Sequence, residues 1–133
     1  MSEENVEVVQ ASFCAMGRGD LEGLIELYDR DIQFLPLTGT QVESGGYHGH
    51  EGVREYFAEV APIWEELRPY AVNVETTGND VVVLGGCAVR GRGSQVEHDS
   101  PMAWVITVRN GKITSHRGYR TSAEALEAVG LTE

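Results

Sequence analysis

Cysteine and basic side chains are scarce in this chain of 133 residues, which has two cysteines and 10 lysines and arginines against 21 aspartates and glutamates. Cys14 and Cys87 lie far apart, each among apolar neighbours, which predicts buried free thiols rather than a disulfide or a pair of metal ligands. The formal net charge of −11 repels phosphate backbones and anionic lipid surfaces, so neither nucleic acid nor membrane is an expected partner. No apolar run approaches the roughly 20 residues that a membrane-spanning helix needs. Met1-Ser2-Glu3-Glu4 is acidic where a signal peptide is basic, and the expected location is the cytoplasm. Also missing are a glycine-rich phosphate loop, a CxxC pair, a GxSxG elbow and a calcium-loop run of carboxylates. Nucleotide, zinc and serine-hydrolase chemistry are disfavoured on that ground, and no cofactor is expected.

What is present reads as one α+β domain spanning residues 1–133, with 41% apolar residues to fill a single core. Val6, Val9, Phe13 and Met16 recur at helical spacing behind Glu3, Glu4 and Glu7, and Gly17 is expected to end this helix. Asp20 caps a second helix whose stripe is Leu21, Leu24, Ile25 and Tyr28, before a polar Asp29-Arg30-Asp31 exit. A short strand over 32–37 leads into a long loop through Ser44–Gly52, and loops of such length are often functional rims. A third helix is expected to bury Val53, Tyr56, Phe57, Val60, Trp64 and Leu67, bending at Pro62 and ending at Pro69. Four antiparallel strands follow over 70–75, 80–90, 96–108 and 112–120, turning at Gly78-Asn79-Asp80 and at Asn110-Gly111. Gly85-Gly86, Gly91 and Gly93 permit the bulges by which a sheet curves. Thr121-Ser122-Ala123-Glu124 fits a capping box opening a short final helix that Gly130 closes.

Four segments carry a resemblance: Gly19-Asp20-Leu21-Glu22-Gly23-Leu24, Tyr47-His48-Gly49-His50-Glu51-Gly52-Val53-Arg54-Glu55-Tyr56-Phe57, Arg109-Asn110-Gly111-Lys112-Ile113 and Glu124-Ala125-Leu126-Glu127-Ala128-Val129-Gly130-Leu131. In order and separation they resemble the SnoaL-like branch of the nuclear-transport-factor-2-like superfamily. The resemblance implies a cone of three N-terminal helices on a curved, mainly antiparallel sheet with a short C-terminal helix. It also implies a cavity between helices and sheet, and a homodimer formed through the exposed sheet. Members range from ketosteroid isomerases and polyketide cyclases to binding proteins, so the resemblance does not supply a reaction. Where ketosteroid isomerases carry a tyrosine and two acidic residues, this chain has Ser12, the Leu35-Pro36-Leu37 stretch, and Ala103 or Trp104. That departure argues against isomerase chemistry by a carboxylate shuttle.

Candidate site residues follow from side-chain chemistry. Tyr47-His48-Gly49-His50 sets a phenol and two imidazoles on the mouth side of the helices; the alternative places His50 in the turn and leaves His48 solvated. No third protein ligand accompanies these histidines, and no metal is expected. His98-Asp99 pairs residue types suited to acid–base work, although neighbours on a strand point to opposite faces. On the last strand, Tyr119 inward with Arg117 toward the opening would offer a phenol donor and a cation to a carbonyl or carboxylate. Phe13, Met16, Phe34, Trp64 and Trp104 form a candidate apolar lining, of which part must be core. The expected catalytic groups are thus Tyr47, His98 and Tyr119, and the expected ligand contacts Ser12, Met16, Phe34, Trp64, Trp104 and Arg117. The expected partner is a small apolar molecule bearing oxygen, either bound only or converted by cofactor-free isomerase, dehydratase, cyclase or hydrolase chemistry. The alternative is a dimerisation or scaffold module with a vestigial cavity.

Overall fold

A computed structural model describes residues 2–93 and 96–131. Along them run α1 (Ser2–Arg18), α2 (Leu21–Leu27), β1 (Tyr28–Leu35), β2 (Tyr47–His48), α3 (Gly49–Val60), β3 (Trp64–Thr77), β4 (Asp80–Gly91), β5 (Glu97–Arg109), β6 (Lys112–Tyr119) and α4 (Ser122–Ala128). The strands make one mixed sheet in the order β2-β1-β6-β5-β4-β3, with β1 parallel to β6 and the other pairs antiparallel. Strand alternation sorts the side chains into two cores. Val81, Val83, Trp104, Ile106 and Val108 face Val9, Phe13, Leu24, Val53 and Tyr56 of the first three helices. On the other face, Val82, Ala103 and Val105 pack against Ala125 and Leu126 of α4. This is the expected α+β arrangement, with the helices α1–α3 over one sheet face.

The helix ends follow local chemistry. Gly19, not Gly17, closes α1: at φ +71° it takes the left-handed conformation, and the N–H groups of Gly19 and Asp20 donate to Met16 and Ala15 carbonyls at 3.1 and 2.9 Å. Asp20 caps α2 by accepting from the Gly23 N–H at 3.0 Å. The expected exit loop 29–31 is instead the start of β1, which opens at Tyr28 and pairs with β6. Thr121 accepts from the Glu124 N–H at 3.1 Å, as the capping box requires.

The largest departure from expectation concerns Trp64 and Leu67. The third helix stops at Val60, and both residues belong to β3, a strand of 14 residues that runs through Pro69. Proline is tolerated there because β3 is an edge strand with only β4 beside it. The helical spacing of Tyr56, Val60, Trp64 and Leu67 was therefore matched by a strand, in which pairing with β4 outweighs local periodicity. The thiols also differ from expectation: both are free, but Cys14 is exposed on a solvent-facing position of α1 and Cys87 is only half-buried. Burial nevertheless pushes the Cys87 thiol up to about 11.

The strand glycines make the sheet bend. Register slips between Ala71 and Asn73 opposite Gly85 and Leu84, so Val72 bulges out of β3. A Cβ on Gly85 would collide with the Tyr70 carbonyl, 2.9 Å from its carbon. Gly85→Ala is therefore expected to cost about 2 kcal/mol through overpacking; urea denaturation measures it, and an unchanged midpoint would show that β3 can step away from β4. At the β5–β6 hairpin, Asn110 and Gly111 have φ values of 52° and 78°, the expected type I′ turn.

Candidate functional site

The left-handed turn at Gly19 brings the last turn of α1 beside α2, and the end of α3 meets the start of β3 across from them. Between these elements lies a cavity of about 620 Å³. Leu24 and Val60 are buried in its wall, whereas Met16, Phe57, Trp64 and Leu67 are half-buried because they face the opening. Its end is fastened by Arg92, which follows β4. The Arg92 Nε donates to the Ala61 carbonyl at 2.9 Å and a terminal nitrogen to the Trp64 carbonyl at 3.3 Å, satisfying backbone acceptors where α3 stops.

Charged side chains ring this apolar interior. Arg54 pairs with Glu22, with a second contact at 3.2 Å, and that hydrogen bond holds the Glu22 carboxyl below its usual range and the Arg54 guanidinium above its own. Arg18 lies 3.4 Å from Asp20, and Arg90 reaches Glu65 and Glu66 at 3.2 and 2.8 Å. The arrangement suits an apolar body with a polar end.

Of the residues expected to contact a ligand, Met16 and Trp64 line this cavity. Phe34 and Trp104 are core, 2% and 3% exposed, and Trp104 meets Phe13 edge-to-face at 4.9 Å. The register left open between Ala103 and Trp104 resolves with Trp104 on the helix face and Ala103 against α4. Ser12 is fully buried and spends its hydroxyl on the Val9 carbonyl, 2.7 Å away in its own helix. Leu24, Phe57 and Leu67 join the lining by tertiary packing, and the rim arginines Arg54 and Arg92 carry no sequence signature of such a role.

The structure places the expected acid–base groups elsewhere. Tyr119 packs in the α4 core on the opposite sheet face, and Arg117 donates to its hydroxyl at 3.4 Å. The reason is register: His116 pairs with Ile106 and Phe34, which puts His116 and Gly118 on the helix side of β6. Tyr47 is buried, and its hydroxyl donates to Glu59 at 2.6 Å while accepting from the Gln41 N–H at 3.3 Å. Desolvation and the Glu59 carboxylate both push its ionisation up, and the contacts tie the loop before β2 to α3. His98 is exposed beside a shallow depression of about 240 Å³, and Asp99 accepts instead from the Tyr70 hydroxyl at 2.7 Å. His50 bonds the Tyr28 carbonyl at 2.9 Å, in the turn position considered for it, and His48 is exposed.

Comparison with known proteins agrees with this architecture. Residues 9–116 match the sequence profile of the SnoaL-like domain. A nuclear-transport-factor-2-like protein of unknown function from Burkholderia pseudomallei is similar with TM-score 0.76 and 23% identity, over 96% of this chain and 98% of that one. Another such protein, from Burkholderia xenovorans, is 29% identical with TM-score 0.69, over 95% of each chain. A protein of ketosteroid-isomerase-like fold from Catenulispora acidiphila, solved in complex with trimethylamine, gives TM-score 0.73 and 21% identity over 94% and 93%. Among curated proteins none matches.

Proposed function

The chain belongs to the SnoaL-like domain family, and we propose that it binds a small, largely apolar, oxygen-bearing molecule in the cavity between α1, α2, α3 and the start of β3. The observation that carries this reading is the convergence of five half-buried apolar side chains, Met16, Leu21, Phe57, Trp64 and Leu67, on one cavity of about 620 Å³. Apolar side chains gathered around one concavity are the lining that a small-molecule site uses, and a cavity of that size falls within the range of such sites. The finer reading, cofactor-free turnover of the bound molecule, is a property to assay once a ligand is known. Were it carried by Tyr47, His98 or Tyr119, the reacting molecule would have to sit outside this cavity.

Tryptophan fluorescence offers a direct test, since Trp64 lines the cavity and the other tryptophan, Trp104, is core. Titration with enones, lactones and aromatic polyketides is expected to quench emission in the wild type and not in Trp64→Phe. Ala58→Trp adds bulk from an exposed position of α3 at the cavity wall and is expected to abolish binding while the protein stays folded. Saturable binding that survives Ala58→Trp would place the ligand elsewhere. A second reading, a homodimer packed through the sheet, is favoured by Tyr70 and Val72, which are 39% and 79% exposed on β3; sedimentation equilibrium of the wild type decides it.

A further inference from the structure

Three arginines line the cavity, and two of them are neutralised, Arg18 by Asp20 and Arg54 by Glu22. Arg92 differs. Among the described residues no carboxylate lies within ion-pair distance of it. Backbone acceptors hold it instead: its side chain reaches the Ala61 and Trp64 carbonyls, and its own N–H donates to the Ile63 carbonyl at 3.0 Å. These contacts use only part of a guanidinium's five donors. A cation already fixed in this way loses little further freedom on meeting an oxyanion, which favours tight and directional pairing.

The acidic groups lining the same cavity are already engaged. Asp20 is held by Arg18, Glu65 by Arg90, and Glu66 by Arg90 at 2.8 Å and Arg68 at 3.3 Å. Each carboxylate that lines the cavity thus has an arginine partner of its own, and none of them is paired with Arg92. Trp64 supplies both a carbonyl that holds Arg92 and a ring in the cavity lining, so the cation and the apolar surface adjoin.

We propose that Arg92 determines the ligand class of this cavity, and that the molecule bound there is an apolar carboxylate whose charged end pairs with Arg92 while its hydrocarbon body lies among Trp64, Phe57 and Leu67. The proposal rests on the binding reading above and names the chemistry of its ligand.

Isothermal titration of the full chain with naphthalene-carboxylate and with the uncharged naphthalene-methanol tests it. The wild type is expected to bind the carboxylate about threefold to fivefold tighter than the alcohol, the effect of one ion pair at an exposed guanidinium. Added salt should weaken the carboxylate alone. Arg92→Gln, which keeps an amide donor for the Ala61 carbonyl, is expected to remove this preference, so that carboxylate and alcohol bind the variant equally. Equal binding of both probes by the wild type, or a preference that persists in Arg92→Gln, would overturn the assignment while the cavity reading stands. Loss of both probes together in Arg92→Gln would also overturn it, as the sign of a purely structural residue. Binding of neither probe by the wild type would sink the cavity reading and this inference with it.

Discussion

Replacing Phe34 with alanine is expected to lower the unfolding free energy by about 4 kcal/mol and to leave ligand affinity of the folded protein nearly unchanged. Phe34 stands on β1 at 2% exposure, surrounded by rings from three elements. His116 of β6 stacks on it at 4.8 Å, Tyr56 and Phe57 of α3 lie at 5.0 and 6.0 Å, and Tyr47 of β2 at 6.4 Å. Because these rings are anchored by separate strands and a helix, they cannot close together over the space a lost phenyl would leave. Cavities that cannot collapse give the upper part of the range for such substitutions. Urea denaturation followed by far-ultraviolet circular dichroism reads the loss. A variant that keeps wild-type stability but no longer binds ligand would return Phe34 to the binding site, where the sequence alone had placed it.

The second large effect is a loss of stability in mild acid that depends on His116. This histidine is 3% exposed, its Nδ1 has no hydrogen-bond partner among the described residues, and burial alone lowers its ionisation from 6.5 to about 4. Above pH 6.5 the imidazole is neutral in the folded and the unfolded chain and contributes no pH dependence. Below that, the unfolded chain takes up a proton that the folded chain refuses until near pH 4, so stability falls as pH falls through this window. The full loss amounts to about 3 kcal/mol. His116→Phe keeps the ring stack on Phe34, removes the proton site, and is expected to be at least as stable as the wild type at neutral pH, because an unsatisfied buried group is also removed. Denaturation of both proteins at pH 7.5 and at pH 4.5 isolates the histidine from the many carboxylates that titrate in either chain. An identical acid loss in wild type and variant would show that His116 is protonated without unfolding. The Tyr28 hydroxyl is buried without a partner as well, 6.3 Å away between ring centroids, and burial pushes its ionisation up. Of the two orphaned groups in this core region only the His116 imidazole takes up a proton in acid, so the acid loss is carried by the histidine and not by the phenol.

Much of the architecture was legible in the residues. The capping signals at Asp20 and Thr121, the Asn110-Gly111 turn and the alternating β4–β6 segments specify local structure through a few neighbouring atoms, and each appears as expected. The segment after Val60 was not legible. Trp64 and Leu67 fit a helical stripe by spacing, and only pairing with β4 across the sheet makes them a strand. Likewise, which face of β6 meets the helices depends on parallel pairing with β1, a contact between residues far apart in the chain. One residue of register decides between Tyr119 and His116 on the helix side, and it is the buried histidine that lies there.

The sequence by itself determined the α+β class, the N-terminal caps of α2 and α4, the Asn110-Gly111 turn and the acidic character, because these follow from short-range geometry and composition. It also picked out Met16 and Trp64. Tertiary structure alone decided that they share a cavity with Phe57, Leu67 and Arg92, since α1, α3 and β3 converge there only after the sheet has bent and its register is fixed. A cavity is the space between distant segments, and no local pattern encodes it.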